Sequence, residues 1–583
     1  MELGGGSSGS SSATALSLAA FLFSAVLYTR DIRRRRRRRR RPPCDDEFDD
    51  SLRERDVLAM DGALEALRES GAGDSVSSRG LRAAIRPPAS YWNGFMLCLQ
   101  DPCDPLANPE GHIALCVAEN KLVQEALATR LMRPDTAMTA FSQSDVYSYN
   151  GFLGLPSARQ AVAYFLERRF LMTDGDDVST TGSVTGDENT EIRMEGALTG
   201  VRSNVTEERD MDHGPGSDPD RIDPEHVALG SGCGSLLSNV LQSLCNAGDA
   251  VLIPAPYRAA FDNDVRSIAC CAPFPVPVSD MRKGPSKEDL EAAALRAERL
   301  DQRVRVLLLT NPHDPTGVVY RPSSLRRVVA WARERKMHVI VDEVYALSVH
   351  EDGGPIPPFK SVVRVLRNSL RDDVHMLYSL SKDFGAGGFR FGVLYSQNTL
   401  LLRALANLNI FSGVSHPMQR VVSEILTDDQ FVDSFLSDAR AQLRWSYTLC
   451  ARKLEEMVVP FFPATGGLFL YADFSGLLPE FSFDGEERFA ALVRDAARVV
   501  LTPGSSMHDK RPGMFRLCYA WVTPDVLEIA MERLSYLVTK IRRNHGNWDA
   551  LDLSTLSDVT KCGMPLGMRR NPSIDLRGLT HAR

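Results

Sequence analysis

Short apolar, β-branched runs alternate through the middle of this chain with longer stretches of helical period, and few architectures satisfy such an alternation. The strand-like runs are Val251–Ile253, Val304–Thr310, His338–Val341 and Val374–Tyr378. Between them, Leu236, Leu237, Val240, Leu241 and Leu244 recur at the spacing that lines one helix face. Strands alternating with helices predict an α/β fold whose central sheet is mostly parallel and flanked by helices. After that region, Phe431 to Phe462 begins a helix-rich part that ends in Phe469 and the segment Val499–Trp521. It is the candidate for a smaller α+β C-terminal domain starting near residue 431. A chain of 583 residues has room for both.

The most chemically specific stretch is Ser379-Leu-Ser-Lys-Asp-Phe-Gly-Ala-Gly-Gly-Phe389, with Arg390 directly after it. The strand-like Val374–Tyr378 feeds a turn with one lysine, Lys382, just after the pair Ser379 and Ser381. A lysine held this way can form a Schiff base with an aldehyde cofactor, while the hydroxyls and Arg390 grip a phosphate. That combination points to pyridoxal 5′-phosphate. Taken alone, a Ser-x-Lys is usually a solvated surface turn, so the assignment depends on what else the chain carries. Gly230-Ser-Gly-Cys-Gly234 precedes an amphipathic helix, and the free N–H groups of a helix start attract a phosphate. Asp342 ends a hydrophobic strand, where an unpaired carboxylate would be costly.

Composition excludes wholesale disorder: 43% of residues are hydrophobic and 25% charged. The net charge of −7 conceals an asymmetry, because Arg33 to Arg41 form an unbroken basic tract. The eleven cysteines show no Cys-x-x-Cys pair, which fits reduced thiols, and the eleven histidines are dispersed, so no metal site is expected. Residues 1–90 read as an extension. It holds a Gly/Ser-rich start, an uncharged apolar run at 13–29, the Arg tract, and a short helix near Ser51–Glu69. The run at 13–29 is at the lower limit for a membrane span, and the basic tract after it would keep the downstream catalytic region in the cytosol, anchored to the membrane. A targeting segment or a soluble extension are the other readings of 13–29. The Arg tract could also contact nucleic acid or anionic lipid, but without interleaved aromatics or a DNA-binding motif a nucleic-acid partner is not expected. Residues 173–220 lose the apolar pattern and read as a disordered acidic insertion, and 545–583 as an irregular tail.

Seven motifs in order then identify a resemblance: Ala118-Glu-Asn120, Tyr149 before Gly154-Leu-Pro156, Gly230–Gly234, Asn311–Gly317, Asp342-Glu-Val-Tyr345, Ser379–Arg390 and Phe515-Arg516. Together they resemble the class I/II aminotransferases, enzymes of fold type I that use pyridoxal 5′-phosphate, in the branch similar to 1-aminocyclopropane-1-carboxylate (ACC) synthases. The similarity runs from about Tyr91 to Tyr536. It implies Lys382 as the cofactor-bearing base and Asp342 as partner of the pyridine nitrogen. It also implies that Tyr345 contacts the phenolic oxygen and that Gly232, Cys233, Ser379, Ser381 and Arg390 hold the phosphate. Arg516 matches the arginine that holds the substrate α-carboxylate, a role suited to its planar fork. Tyr149 resembles a tyrosine that reaches the neighbouring subunit's site, which implies a homodimer, and Glu119 resembles a glutamate near the substrate's reacting end.

Two positions depart from the pattern. Asp314 stands where relatives have an asparagine that donates to the phenolic oxygen, and an ionised carboxylate cannot donate. In Pro256-Tyr-Arg-Ala-Ala-Phe261, strict register puts Arg258 where relatives carry the aromatic that stacks on the pyridine ring, and Tyr257 beside it is taken as the stacking residue. The resemblance implies transamination of an amino acid. Conversion of S-adenosylmethionine to ACC is the alternative, and a catalytically silent regulatory protein on the same fold is a third reading, opposed by the retention of Lys382, Asp342, Tyr345, Arg390 and Arg516.

Overall fold

The structure, a computed structural model, describes residues 91–171, 221–350 and 359–544, together with 76, 77, 80, 83, 84 and 548. The apolar run 13–29, the Arg tract, the short helix expected near Ser51–Glu69, the insertion 173–220 and, Trp548 apart, the tail 545–583 lie outside the described residues. Among the described residues, no helix is long and apolar enough to cross a membrane.

Seven strands form the main sheet: β1 (Val227–Ser231), β2 (Ala250–Ala255), β3 (Ala272–Pro277), β4 (Val304–Thr310), β5 (His338–Asp342), β6 (Val374–Ser379) and β7 (Phe391–Ser396). Their order across the sheet is β1-β7-β6-β5-β4-β2-β3. Every neighbouring pair from β6 to β3 is parallel, whereas β7 runs antiparallel to both β6 and β1. Because β7 between them is antiparallel to both, β1 points the same way as β6.

The alternation of the strands explains why both faces are covered. Leu252, Leu307, Leu309, Val339, Val341 and Met376 join one apolar cluster, and Val251, Ile253, Val306, Leu308, Ile340 and Leu377 another. Helix α1 (Gly232–Leu244) puts Leu236, Leu237, Val240 and Leu241 into the second cluster. Helices α2 (Lys287–Arg299) and α3 (Pro322–Glu334) bury Leu290, Ala293, Ala294, Leu325, Val328 and Val329 in the first. A capping box starts α2, where the Ser286 hydroxyl accepts from the Asp289 N–H and the Asp289 carboxylate accepts from the Ser286 N–H.

A second sheet lies in the C-terminal part. Its strands are β8 (Phe461–Phe462), β9 (Phe469–Asp473), β10 (Thr502–Pro503) and β11 (Met514–Cys518), all antiparallel in the order β10-β11-β9-β8. Phe469, Leu470, Phe515 and Leu517 pack with Leu443 and Leu454 of the long helix α4 (Asp429–Glu456), and with Leu527, Met531 and Leu534 of α5 (Pro524–Arg543). The α/β class and the smaller C-terminal α+β part therefore follow the expectation. One feature does not: Ile113–Ala114, far upstream, pairs in parallel with Val499–Val500, and Ile113 and Leu115 complete the C-terminal core. A two-residue strand carries no period to read, and its partner is nearly 400 residues away in the chain.

The loop between β4 and α3 is held by Gly317. Its φ is +68°, and a Cβ there would stand 2.4 Å from the Ala464 Cβ and 2.7 Å from the Gly466 carbonyl oxygen. Gly317→Ala is expected to destabilise the protein by roughly 2 kcal/mol, because backbone and neighbour must both yield. A thermal melt beside the wild type checks it, and an unchanged midpoint would mean that the loop adapts without strain.

Candidate active site

Strand direction brings the chemistry to one edge. The C-terminal ends of β1, β4, β5 and β6 all lie there, and so does the N-terminal end of the antiparallel β7, since Ser231 pairs with Phe391 and Ser379 with Gly392. Ligands of open α/β sheets bind outside the carboxyl ends of the strands. Here those ends carry Ser231 and Gly232, Thr310 and Asn311, Asp342, and Ser379, with Arg390 leading into β7.

The first group of residues forms an anion cradle. Helix α1 opens at Gly232 without a side-chain cap, so its first N–H groups are left for a ligand. Gly232 has φ +83°, and a Cβ would lie 2.6 Å from Nη2 of Arg390, so only glycine lets the guanidinium lie against the helix start. Arg390, itself left-handed at φ +52°, donates to the Gly387 carbonyl at 3.0 Å and to the Ser231 carbonyl at 3.2 Å. The Ser379 and Ser381 hydroxyls are 2.7 Å apart, and Ser379 accepts from the Ser381 N–H at 3.1 Å. Cys233 turns its thiol away to the Tyr378 carbonyl, 3.2 Å off, leaving its backbone N–H as its contribution to the cradle.

Beside the cradle are a buried carboxylate and a half-buried amine. Asp342 is 1% exposed and accepts from the Val344 N–H at 3.3 Å. Burial pushes its pKa up to about 6, and the Arg258 guanidinium works in the opposite direction. Lys382 donates to the Ala118 carbonyl at 2.5 Å. Burial and then the Arg258 charge bring its pKa down to about 8, while Glu119 opposes them. Glu119 comes within reach because Lys121 donates its N–H to the Ala520 carbonyl, fixing the segment on the C-terminal part. The Glu119 Oε1 lies 3.7 Å from where a Gly387 Cβ would stand.

The third group is a buried charge cluster. Arg516 Nη1 donates to both oxygens of Asp314, at 2.7 and 3.0 Å, and Nη2 donates to the Cys116 carbonyl at 3.0 Å. The Tyr345 hydroxyl donates to Asp314 Oδ2 at 3.1 Å. Asp314 is 0% and Arg516 5% exposed. Truncating one member of such a pair costs about 3–5 kcal/mol, since the other charge is left buried and alone.

Two residues fall elsewhere. Tyr149 is 95% exposed and takes no part in the site of its own chain. Tyr257 stacks on the His508 ring at 4.7 Å between centroids, and its hydroxyl donates to Asp262 at 2.7 Å. The neighbouring Arg258 is the one whose charge reaches Asp342, Lys382, Tyr345 and Asp314. Its nearest carboxylate is Asp264, at 3.6 Å.

The structure adds two residues to those named from sequence. Both polar atoms of the buried Asn120 amide lack a hydrogen-bond partner, and Oδ2 of Asp264 has none beyond its ion pair with Arg258. Buried polar atoms are rarely left so, and in a ligand site they mark where a ligand bonds. Asn120 sat in the Ala118–Asn120 motif and Asp264 just past the Tyr257 segment, so the signal for each was its neighbourhood. The glycine-lined cradle, the carboxylate at the end of β5 and the half-buried amine suit a phosphorylated pyridine aldehyde in charge and in donor set.

A neutral amine is the reactive form, so reductive methylation of Lys382 in cofactor-free protein is expected to rise with pH through a midpoint near 8. Arg258→Gln removes a charge that lowers this pKa and is expected to move the midpoint upward. Mass spectrometry of the labelled peptide checks both, and an unmoved midpoint would mean that the guanidinium's field does not reach the amine.

Comparison with known proteins agrees with this arrangement. A family model described as aminotransferase class I and II matches residues 216–534. The chain is 28% identical over 463 residues to the 1-aminocyclopropane-1-carboxylate synthase-like protein 1 of Arabidopsis thaliana, covering 78% of this chain and 84% of that one. It is also 28% identical over 508 residues to the 1-aminocyclopropane-1-carboxylate synthase 6 of Oryza sativa subsp. japonica, covering 84% and 82%. In fold it is similar to the aspartate aminotransferase of Thermus thermophilus with maleate, at TM-score 0.56 and 20% identity over 79% of this chain and 99% of that one. The aspartate aminotransferase of Thermotoga maritima gives 0.55 and 19%, over 80% and 100%. With the matched segment spanning more than half its length and containing Asp342, Lys382, Arg390 and Arg516, this chain belongs to the aminotransferase class I and II family, whose enzymes depend on pyridoxal 5′-phosphate.

Proposed function

We propose that this enzyme transfers the amino group of an amino acid to a 2-oxo acid, with Lys382 as the catalytic base. The observation that carries the reading is a half-buried lysine brought down to a pKa of about 8 in the same cleft as a buried carboxylate at a strand end. Bound pyridoxal 5′-phosphate supplies an electron-withdrawing ring that stabilises negative charge at the substrate α-carbon. Asp342 would hold the ring nitrogen. Gly232, the Cys233 N–H, Ser379, Ser381 and Arg390 would hold the phosphate, and Tyr345 with Asp314 would face the phenolic oxygen. Because Lys382 sits near the top of the neutral range, a sizeable fraction of its amine is free to accept the α-proton at physiological pH and to return a proton elsewhere. Arg516 orients the substrate carboxylate, and burial in the cleft keeps water from competing for these contacts.

Arg258 in place of an aromatic changes how the ring is held. A guanidinium can lie over a ring, but it also adds positive charge next to Lys382 and Asp342, which supports it as the cofactor-facing residue in preference to Tyr257. Exposed aromatic and apolar side chains support a homodimer: Tyr149 and Tyr147 are 95% and 73% exposed, and Phe411 is 89% exposed. In that assembly Tyr149 would complete the partner's site. The apolar run 13–29 followed by Arg33–Arg41 supports a catalytic region held on the cytosolic side of a membrane.

A second reading, ring closure of S-adenosylmethionine to ACC, is favoured by the ACC synthase names among the relatives and by the Glu119 carboxylate close to Lys382, an anion suited to a sulfonium. Purified enzyme given an amino acid and 2-oxoglutarate is expected to form glutamate, and given S-adenosylmethionine to form no ACC. The reverse result would establish the second reading. Lys382→Ala is expected to lower turnover at least about 100-fold, and near-wild-type turnover would overturn its role as base.

A further inference from the structure

Both terminal nitrogens of Arg516 are already engaged by the protein itself. Its Nη1 is shared between both oxygens of Asp314, its Nη2 is given to the Cys116 carbonyl, and its Nε is buried without a partner. Asp314 is equally fixed: Tyr345 donates to it, and it sits on the loop tied down by Gly317. A guanidinium holds a carboxylate by charge-assisted N–H donation, and here the protein supplies a carboxylate itself, both of whose oxygens accept from Nη1. The asparagine expected at this position would accept from Arg516 without neutralising it, so the ion pair is a property of this chain.

We propose that Asp314 is a specificity-determining residue that occupies the Arg516 clamp as an internal carboxylate, so that a substrate carboxylate binds only by displacing it. The inference rests on the reading of Arg516 as the substrate clamp. Two carboxylates converging on one guanidinium in a site closed to water repel each other, so any incoming carboxylate must compete against a partner tethered at effectively high local concentration. The charge that makes Arg516 attractive is thus cancelled until Asp314 moves away. Tyr345, whose hydroxyl donates to Asp314, loses that acceptor in the same event.

The test uses maleate, a dicarboxylate with no amino group, titrated by calorimetry into the wild type, Asp314→Asn and Asp314→Ser, each with and without bound cofactor. Both neutral variants are expected to bind maleate about tenfold or more tightly than the wild type, and Asp314→Ser keeps the question open to test should the asparagine variant fail to fold. Combining Asp314→Asn with Arg516→Gln is expected to abolish the gain. Equal or weaker binding in the folded neutral variants overturns the proposal, as does a gain that survives in the double variant. Cofactor loading is followed separately by absorbance, so a protein that takes up no pyridoxal 5′-phosphate overturns the functional reading while the maleate comparison on the cofactor-free protein still decides the role of Asp314.

Discussion

Five charged groups share one cleft largely closed to water, and the fold depends on their compensating one another. Asp342, Asp314, Lys382, Arg258 and Arg516 would each be costly to bury alone. Asp314 and Arg516 answer this by direct contact at 2.7 and 3.0 Å. Asp342 and Lys382 answer it differently, with pKa values displaced toward neutrality by burial, so that both are poised to gain or lose a proton. The arrangement keeps reactive groups reactive by denying them full pairing, while confining full pairing to the clamp.

The frame that makes this affordable is the sheet. A cleft lined by strand ends inherits its positions from backbone ladders, and the register of β5, β6 and β7 places Asp342, Ser379 and Arg390 without reliance on flexible loops. The single antiparallel strand β7 matters here. By reversing direction it puts its N-terminal end, preceded by Arg390, beside the C-terminal ends of β1 and β6. Glycines at 232 and 392 then let the two backbones cross so closely that a Cβ on Gly392 would lie 2.5 Å from the Gly232 carbonyl carbon.

Much of this was legible in the sequence because it is encoded locally. The strands at 304–310 and 374–379 are continuous β-branched and apolar runs, and the helix after Gly232 has an unambiguous face. The Ser379–Arg390 segment carries its chemistry within twelve residues. Other features are not local. Whether Tyr257 or Arg258 faces Asp342 depends on where His508 and Asp262 lie, one of them some 250 residues away. The pairing of Ile113–Ala114 with Val499–Val500 leaves no pattern in either segment.

Residue order alone thus determined the fold class and the cofactor chemistry, and it singled out the lysine, the strand-end aspartate and the glycine–serine–arginine cluster as site candidates, since each rests on short-range periodicity or on a compact motif. It also exposed Asp314 and Arg258 as unusual. Only the tertiary structure decided what they do, because a charge acts through distance in space. Asp314 meets an arginine 202 positions along the chain, and Arg258, after burial, lowers the pKa values of Asp342 at one strand end and of Lys382 in the turn after another.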